Sequence, residues 1–255
     1  MVLRLKNAKS ILPRLYKDCV SYVEEISLIE ETGLWRNVQV YVESSKTMED
    51  FLLLHSPSFY WSGTSLSAYM TAQKPSTIRE FAEILKKKED CKTHLETSTP
   101  ATQIKKHMPW LTKRYIVRYL CVDSSTFKPD YKHQAKAVLL TQDNILKLDP
   151  NASPPYVRRV KTAPVYGYLN EKGMLVATSG VGWLTKRSFS ISYTETKPRY
   201  RQQGIAKCLT SLASEPLIKK GLIGVYASDA TNKASLGVGL SLGFHPYRDL
   251  NCFYS

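Results

Sequence analysis

What the sequence lacks narrows it first. No stretch approaches the ~18 consecutive apolar residues that a membrane-spanning helix needs, and the N-terminal residues hold no apolar core of the signal-peptide kind. Cysteine is sparse: Cys19, Cys91, Cys121, Cys208 and Cys252 are odd in number, widely spread, and form no C-x-x-C pair. That speaks against a disulfide framework and a structural zinc site, and for a reducing compartment. Acidic residues are the other shortage. Against 36 Lys and Arg stand 22 Asp and Glu, for a net charge of +14. Such an excess favours anionic partners: nucleic acid, a membrane surface or an anionic cofactor. The basic runs, such as Lys86-Lys87-Lys88, Lys105-Lys106 and Lys113-Arg114, are scattered in the manner of solvated faces. No recognition motif of the RNA- or DNA-binding families is visible, nor any internal repeat or low-complexity tract.

What is present suits a globular protein. Hydrophobic content of 43% and charged content of 23% over 255 residues fit one large domain or two small ones. The N-terminus is basic and acid-free until Asp18, loosely like a mitochondrial presequence. The spacing of Ile11, Leu12, Leu15, Tyr16, Cys19, Val20 and Val23 instead matches the buried face of a helix over about 9–26. A cytoplasmic location is therefore the expectation, with a mitochondrial one as the alternative.

The rest of the first half reads as a strand at Val38 to Val42, strand-like segments around 51–62, and a helix near 77–88. Thr77 and Glu80 form a capping-box pattern just after Pro75. Residues 89–112, polar and holding Pro100 and Pro109, read as a connection, and Arg114 to Val122 as a strand. From Ala137 the pattern is a short strand to Thr141, then short helices at Asp143 to Leu148 and Tyr156 to Val160 either side of Pro154-Pro155. A hairpin follows, with Val165 to Leu169 and Met174 to Val181 flanking the turn Asn170-Glu171-Lys172-Gly173. The chain closes with a strand at 189–196, a helix from Ile205 to Ser214, a strand at Leu222 to Ala227, a helix at 232–242 and a strand near Tyr247 to Tyr254.

The most informative stretch is Pro198-Arg199-Tyr200-Arg201-Gln202-Gln203-Gly204-Ile205-Ala206-Lys207. A basic loop containing glycine here opens a helix directly after a strand. Such a loop presents unpaired backbone N–H groups to an anion, and the helix dipole adds partial positive charge. Gly204 carries no Cβ to hold a phosphate away, and Arg201 and Lys207 add formal charge.

The spacing Arg201-x-x-Gly204-x-Ala206, with Pro198 and Tyr200 ahead of it, resembles the coenzyme A diphosphate loop of the GNAT acyltransferase superfamily. A second motif stands at the matching distance: a strand, then Asn232, then a helix and Gly243-Phe244. The resemblance covers roughly 134–255. It implies an α/β (α+β) GNAT fold, a mixed central sheet flanked by helices. The whole chain looks like the glycine N-acyltransferase-like (FR47-like) branch, in which a smaller, degenerate α/β half, here 1–130, precedes the complete acyltransferase domain, here 134–255. The segment Asn144 to Arg159 matches the acceptor-side helices of that branch.

The resemblance implies transfer of an acyl group, acetyl or another, from acyl-coenzyme A to a primary amine of a small molecule or amino acid by direct attack on the thioester, with no metal. The backbone of Arg201, Gln202, Gln203, Gly204, Ile205, Ala206 and Lys207 would hold the diphosphate. The backbone around Thr194 to Thr196 would pair with the pantetheine, and Asn232 would bind pantetheine or an ordered water. Many members place a tyrosine, as general acid, where this chain has Gly239, and a glutamate where it has Ser190. Glu195 is the one carboxylate on that strand, and alternation would set it opposite Thr194 and Thr196. Glu195, Tyr193 and Ser190 are the candidate catalytic residues, with His245 a further possibility. Gly237 and Gly239 lie in a helix, where each costs about 1 kcal/mol relative to alanine; they leave room for an acyl chain or allow close helix packing. Trp183, Tyr166 and Tyr168 could wall a substrate pocket or be plain core. Arg158 and Arg159 could clamp an acceptor carboxylate or lie on a helix surface. Cys208 reads as a packing residue. Two other readings remain open: a non-catalytic coenzyme A-binding or interaction protein, and a nucleic-acid-associated protein that uses the charge excess.

Overall fold

The structure, a computed structural model, describes residues 2–31, 38–44, 46–55, 65–88 and 92–255. Its elements run in the order β1 (Leu3–Arg4), α1 (Leu12–Leu15), α2 (Val23–Glu30), β2 (Gln39–Val42), β3 (Phe51–His55), β4 (Ser65–Thr71), α3 (Pro75–Lys86), β5 (Lys92–Thr97), α4 (Ala101–His107) and β6 (Lys113–Val122). Then come β7 (Ala137–Leu139), α5 (Gln142–Leu148), α6 (Pro154–Thr162), β8 (Val165–Leu169), β9 (Leu175–Leu184), β10 (Ser188–Thr196), α7 (Ile205–Ile218), β11 (Ile223–Asp229), α8 (Lys233–Ser241) and β12 (His245–Tyr254). The second series repeats the first element for element: strand, two helices, three strands, helix, strand, helix, strand. The chain is thus built from a duplicated plan that its side chains do not betray.

The chain divides into two compact units. The first holds Met1–Arg118 with 229–231 and Asp249–Ser255; the second holds Tyr119–Ser228 and Asn232–Arg248. In the first, the strands lie in the order β1–β2–β3–β4–β5–β12, antiparallel except for β4 with β5. One face of this sheet carries Leu66, Ala68, Met70, Leu95 and Phe253, which pack with Ile78, Phe81 and Leu85 of α3 and Ile104 of α4 into a closed core. In the second, the order is β6–β11–β10–β9–β8–β7, with β10 and β11 parallel and the hairpins β7–β8–β9–β10 antiparallel. Its core gathers Val181, Phe189 and Ile191 from the sheet with Ala213 and Leu217 of α7 and Leu236 of α8. Both units are mixed sheets with helices against them, as the sequence led us to expect.

Several local expectations need correction. The single helix over 9–26 is instead a succession of short turns: a 3-10 turn at Ala8–Ile11, α1, a second 3-10 turn at Tyr16–Asp18, and then α2. Ile11, Leu15, Cys19, Val20 and Val23 are nonetheless buried, so the apolar spacing holds while the hydrogen-bond ladder breaks. Residues 89–112 are not a mere connection. They contain β5 and α4, whose polar exposed positions hid a buried set of Thr93, Leu95, Thr97 and Ile104. Helix α3 starts earlier than 77, with Pro75 in its first turn and Lys74 as an N-cap without a side-chain hydrogen bond. Thr77 is buried within it, and the Glu80 carboxylate accepts from the Val2 backbone N–H at 2.6 Å, so the capping box does not form. Helix α7 runs past Ser214 and through Pro216 to Ile218. Of the strand-like stretch 51–62, the first part is β3, and 56–62 lies outside the described residues.

Candidate functional site

The second unit opens its sheet at one place. Strands β10 and β11 pair only from Ser188↔Ile223 to Ile191↔Tyr226, although β10 continues to Thr196. Beyond Ile191 the two strands diverge, so the edge of β10 that faced β11 loses its partner. On its other side β10 stays paired with β9, but the register slips between Ser192↔Gly180 and Glu195↔Thr178. Tyr193 absorbs the extra residue with φ of +55°, a bulge in a non-glycine position. The bulge lies ahead of Thr194, and from Glu195 to Thr196 the strand pairs in step again. Thr194, Glu195 and Thr196 all contribute to the lining of one cleft of about 790 Å³; the Thr194 hydroxyl meets Ser179, while the Glu195 charge is felt by Tyr156, which packs on Tyr193.

The rest of the cleft is built from the loop before α7 and from α8. Gly204, the N-cap of α7, has φ of +85°, a conformation that costs other residues free energy. Gln202 also has positive φ, at +60°. Left-handed residues at 202 and 204, one on each side of Gln203, turn backbone N–H groups toward a helix start. Arg201, Gln202, Gly204, Ile205, Ala206 and Lys207 line the cleft. Gln203 does not; its carbonyl oxygen bonds His133 Nε2 at 2.7 Å, which pins the loop from outside. Arg201 Nε donates to the Thr196 carbonyl at 2.9 Å, tying the loop to the end of β10. Lys207 Nζ lies 3.1 Å from Asp130, so its charge is partly matched. Across the cleft, Asn232 caps α8 by accepting from Ser235 N–H at 3.1 Å, and both residues face the opening. Thr196 Oγ1 is buried and has no hydrogen-bond partner among the described residues. That is an uncompensated polar atom at the end of β10, and such atoms are costly unless a ligand or water meets them.

The other sequence candidates fall in different places. Ser190 is buried between Trp183 and Val225, its neighbours across the sheet, and is not part of the cleft lining. The Tyr193 ring packs against Tyr156 at 4.7 Å between centroids, in a cluster with Leu140, Ile145 and Val160. Burial pushes the Tyr156 phenol up, and the nearby charges of Asp149 and Glu195 add to that. His245 is exposed, with Nε2 3.3 Å from Cys121 Sγ. Tyr168 packs under α7 with Ile205 and Leu209, Tyr166 reaches the same cluster, and Trp183 is buried, so these aromatics are core. Arg159 is only 1% exposed and its guanidinium reaches Thr162 Oγ1 at 3.5 Å; it is enclosed by the fold rather than presented on the cleft. Cys208 is fully buried and its thiol is pushed up by burial, as suits packing. Among the described residues no His, Cys, Asp and Glu group could hold a metal, and no helix is long and apolar enough to cross a membrane.

Sequence reasoning missed Tyr226, Ser235, Ala234 and Val238 of the lining. Tyr226 looked like any aromatic on a strand. The one signal for it was the glycine at 239. A Cβ there would lie 3.4 Å from the Tyr226 ring and 3.0 Å from Leu120.

An open parallel strand pair with a glycine-capped helix at its mouth is the geometry of one acyltransferase fold, and comparison with solved structures agrees. A Drosophila protein matches over 99% of this chain and 97% of its own, with a TM-score of 0.67 and 12% identity. A GCN5-related N-acetyltransferase-like protein from Streptococcus suis matches over 98% and 100%, at 0.62 and 18%. A tandem GNAT protein from the clavulanic acid biosynthesis pathway matches over 100% and 97%, at 0.61 and 14%. No protein-family model and no curated protein matches the sequence. The fold of this chain is that of the GNAT acetyltransferases.

Proposed function

We propose that residues 134–255 carry an acyl-coenzyme A-dependent N-acyltransferase, and that residues 1–130 are a companion half of the same plan that has lost the cofactor site. The observation that carries this reading is the divergence of β10 from β11 after Ile191, with the Gly204 loop at its mouth. An extended pantetheine arm can add to the free edge of β10 at Thr194 to Thr196, as a peptide strand adds to a sheet edge. The diphosphate then meets the N–H groups from Gln202 to Lys207 and the helix dipole, with Arg201 beside it and Asn232 opposite. A backbone N–H of this bulged strand polarises the thioester carbonyl. Glu195, on the cleft wall, takes the proton from the amine, directly or through water.

The first unit supports the second half of the proposal. There β4 and β5 stay paired over Ser65↔Lys92 to Met70↔Thr97, without divergence. The start of α3 meets a carboxylate already in the chain: buried Asp50 accepts from Gln73 N–H at 3.2 Å and Lys74 N–H at 3.5 Å. The place where the second unit would receive an anionic ligand is filled in the first by a side chain.

The acceptor is a primary amine of a small molecule or amino acid, and the glycine N-acyltransferase-like branch is the closest resemblance. With Arg159 enclosed by the fold, exposed Arg158 is the remaining candidate for a carboxylate clamp on the acceptor. A second reading is kept by Ser190 and Gly239: neither can act as the acid or base commonly placed there, which would suit a protein that binds coenzyme A without turning it over. Titration of coenzyme A into wild type and Gly204→Glu, followed by thiol release from acetyl- and benzoyl-coenzyme A with primary amines, decides between them. We expect the variant to lose at least 10-fold in affinity, since a carboxylate enters the anion site at a left-handed position. Binding without turnover would favour the second reading, and equal binding by both proteins would overturn the site.

A further inference from the structure

The cleft holds a hydroxyl that the proposed chemistry has so far left unused. Tyr226 is the last residue of β11 paired with β10, so it stands at the inner end of the opening, the end opposite the diphosphate loop. It lines the cleft while only 3% exposed. Its ring faces Gly239, where a Cβ would stand 3.4 Å away. Its hydroxyl oxygen is 3.1 Å from Ser235 Oγ. The Thr194 hydroxyl is on its other side, and it continues to Ser179 Oγ at 2.9 Å and on to Thr210 Oγ1 at 2.8 Å. A row of hydroxyls thus runs from inside α7 through β9 and β10 to Tyr226 and out to α8.

We propose that Tyr226 is a catalytic residue whose phenolic O–H donates to the sulfur of the departing coenzyme A. This rests on the transferase reading above. The arm that enters between β10 and β11 ends where the strands rejoin, and that is where the thioester must sit for the free edge of β10 to hold its chain. Both flanking hydroxyls are able to donate to the Tyr226 oxygen, and in that arrangement its own proton points into the cleft. Burial raises the phenol, and the hydrogen bonds from Ser235 and Thr194 offset part of that rise, so the group enters the reaction protonated. With glycine at 239, no side chain from that position of the helix shares this space with the strand tyrosine.

In the step itself the amine nitrogen bonds to the acyl carbon and the C–S bond breaks, its electron pair going to sulfur. The nitrogen gives up its proton to the base on the cleft wall. Sulfur leaves as a thiolate under the Tyr226 hydrogen bond and is protonated from solvent after release. A thiol ionises near ~8.5 and a phenol near ~10, so full proton transfer to sulfur would run uphill. The gain is stabilisation of charge while it develops, which places the effect at about 10- to 100-fold, at or below the lower end of acid–base catalysis.

The test is Tyr226→Phe, which keeps the ring and its packing, compared with wild type for thiol release from acetyl-coenzyme A with glycine, ethanolamine and a lysine peptide as acceptors. The same pair is then run with the acetyl selenoester of the coenzyme, whose leaving group is more acidic and needs the donor less. We expect kcat to fall about 10- to 100-fold with the thioester, the loss to shrink several-fold with the selenoester, and the Kd of coenzyme A to stay within about twofold. Ser235→Ala should give a smaller loss with the same donor dependence. A variant as fast as wild type, or one equally slowed with both donors, overturns the assignment while leaving the transferase intact. A wild type that binds coenzyme A but turns over none of these amines overturns both.

Discussion

His55 closes β3 and is 4% exposed. Burial disfavours its charged form and lowers its pKa to about 4, against ~6.5 in the unfolded chain. Between those values the unfolded chain binds a proton that the folded chain does not. The stability that rests on neutral His55 is therefore complete above the unfolded value and is lost as pH falls toward 4, by about 1.4 kcal/mol per unit. Denaturant midpoints measured at pH 7, 5.5 and 4.5 should fall more steeply for wild type than for His55→Gln. Parallel curves would show that another group carries the acid sensitivity. At this scale the sequence was a poor guide. A histidine at the end of an apolar run carries no mark of its burial, and neither Tyr226 nor Asp50 stood out until neighbours distant in sequence were brought beside them. Glu195, by contrast, was legible as the one carboxylate on its strand. The bulge ahead of it was not, because a slip in register at Tyr193 leaves no mark in the sequence.

At the scale of elements, the junction between α8 and β12 shows how a short motif encodes a contact. Gly243 has φ of +88°, and a Cβ there would stand 1.9 Å from the Thr126 carbonyl oxygen. The following Phe244 is buried against Tyr226. Glycine is required both for the turn that ends the helix and for the close approach of the 126 segment, whose Lys128 N–H bonds the Leu242 carbonyl at 2.9 Å. Gly243→Ala should cost about 2–4 kcal/mol, from left-handed strain plus the clash, read as a lower denaturant midpoint. A shift under about 0.5 kcal/mol would mean that the 126 segment moves aside freely. The elements of the second unit were legible almost throughout because hairpin turns, prolines and the glycine loop punctuate them. In the first, β5 and α4 were hidden by polar exposed faces. The capping-box pattern at Thr77 and Glu80 failed because Pro75 starts the helix earlier and Glu80 is claimed by the N-terminal backbone.

Across the whole molecule, one plan of elements occurs twice with different outcomes. The second copy opens its parallel strand pair and ends it in a glycine-capped helix. The first keeps its pair closed over Ser65 to Met70 and covers the helix start with Asp50. Removing that carboxylate separates stability from binding. Asp50→Ala leaves two backbone N–H groups without their acceptor and should cost about 1–3 kcal/mol in unfolding free energy. The affinity of the second unit for coenzyme A should stay within about twofold by calorimetry. A large loss of affinity would show that Asp50 does more than stabilise the first unit.

The sequence by itself determined the glycine-capped loop before α7, the Asn232 cap and the Gly243-Phe244 turn, and their resemblance to a known family pointed to the fold. These depend on local geometry: a glycine at a left-handed position, a helix start after a strand, a cap three residues before the N–H that it accepts. The tertiary structure alone decided the rest. It showed that the first half repeats the second, that one strand pair parts while the other stays closed, and that a tyrosine stands where a helix side chain is missing. Such facts depend on register and on contacts between residues far apart in the chain. A single sequence holds no periodicity from which they could be read.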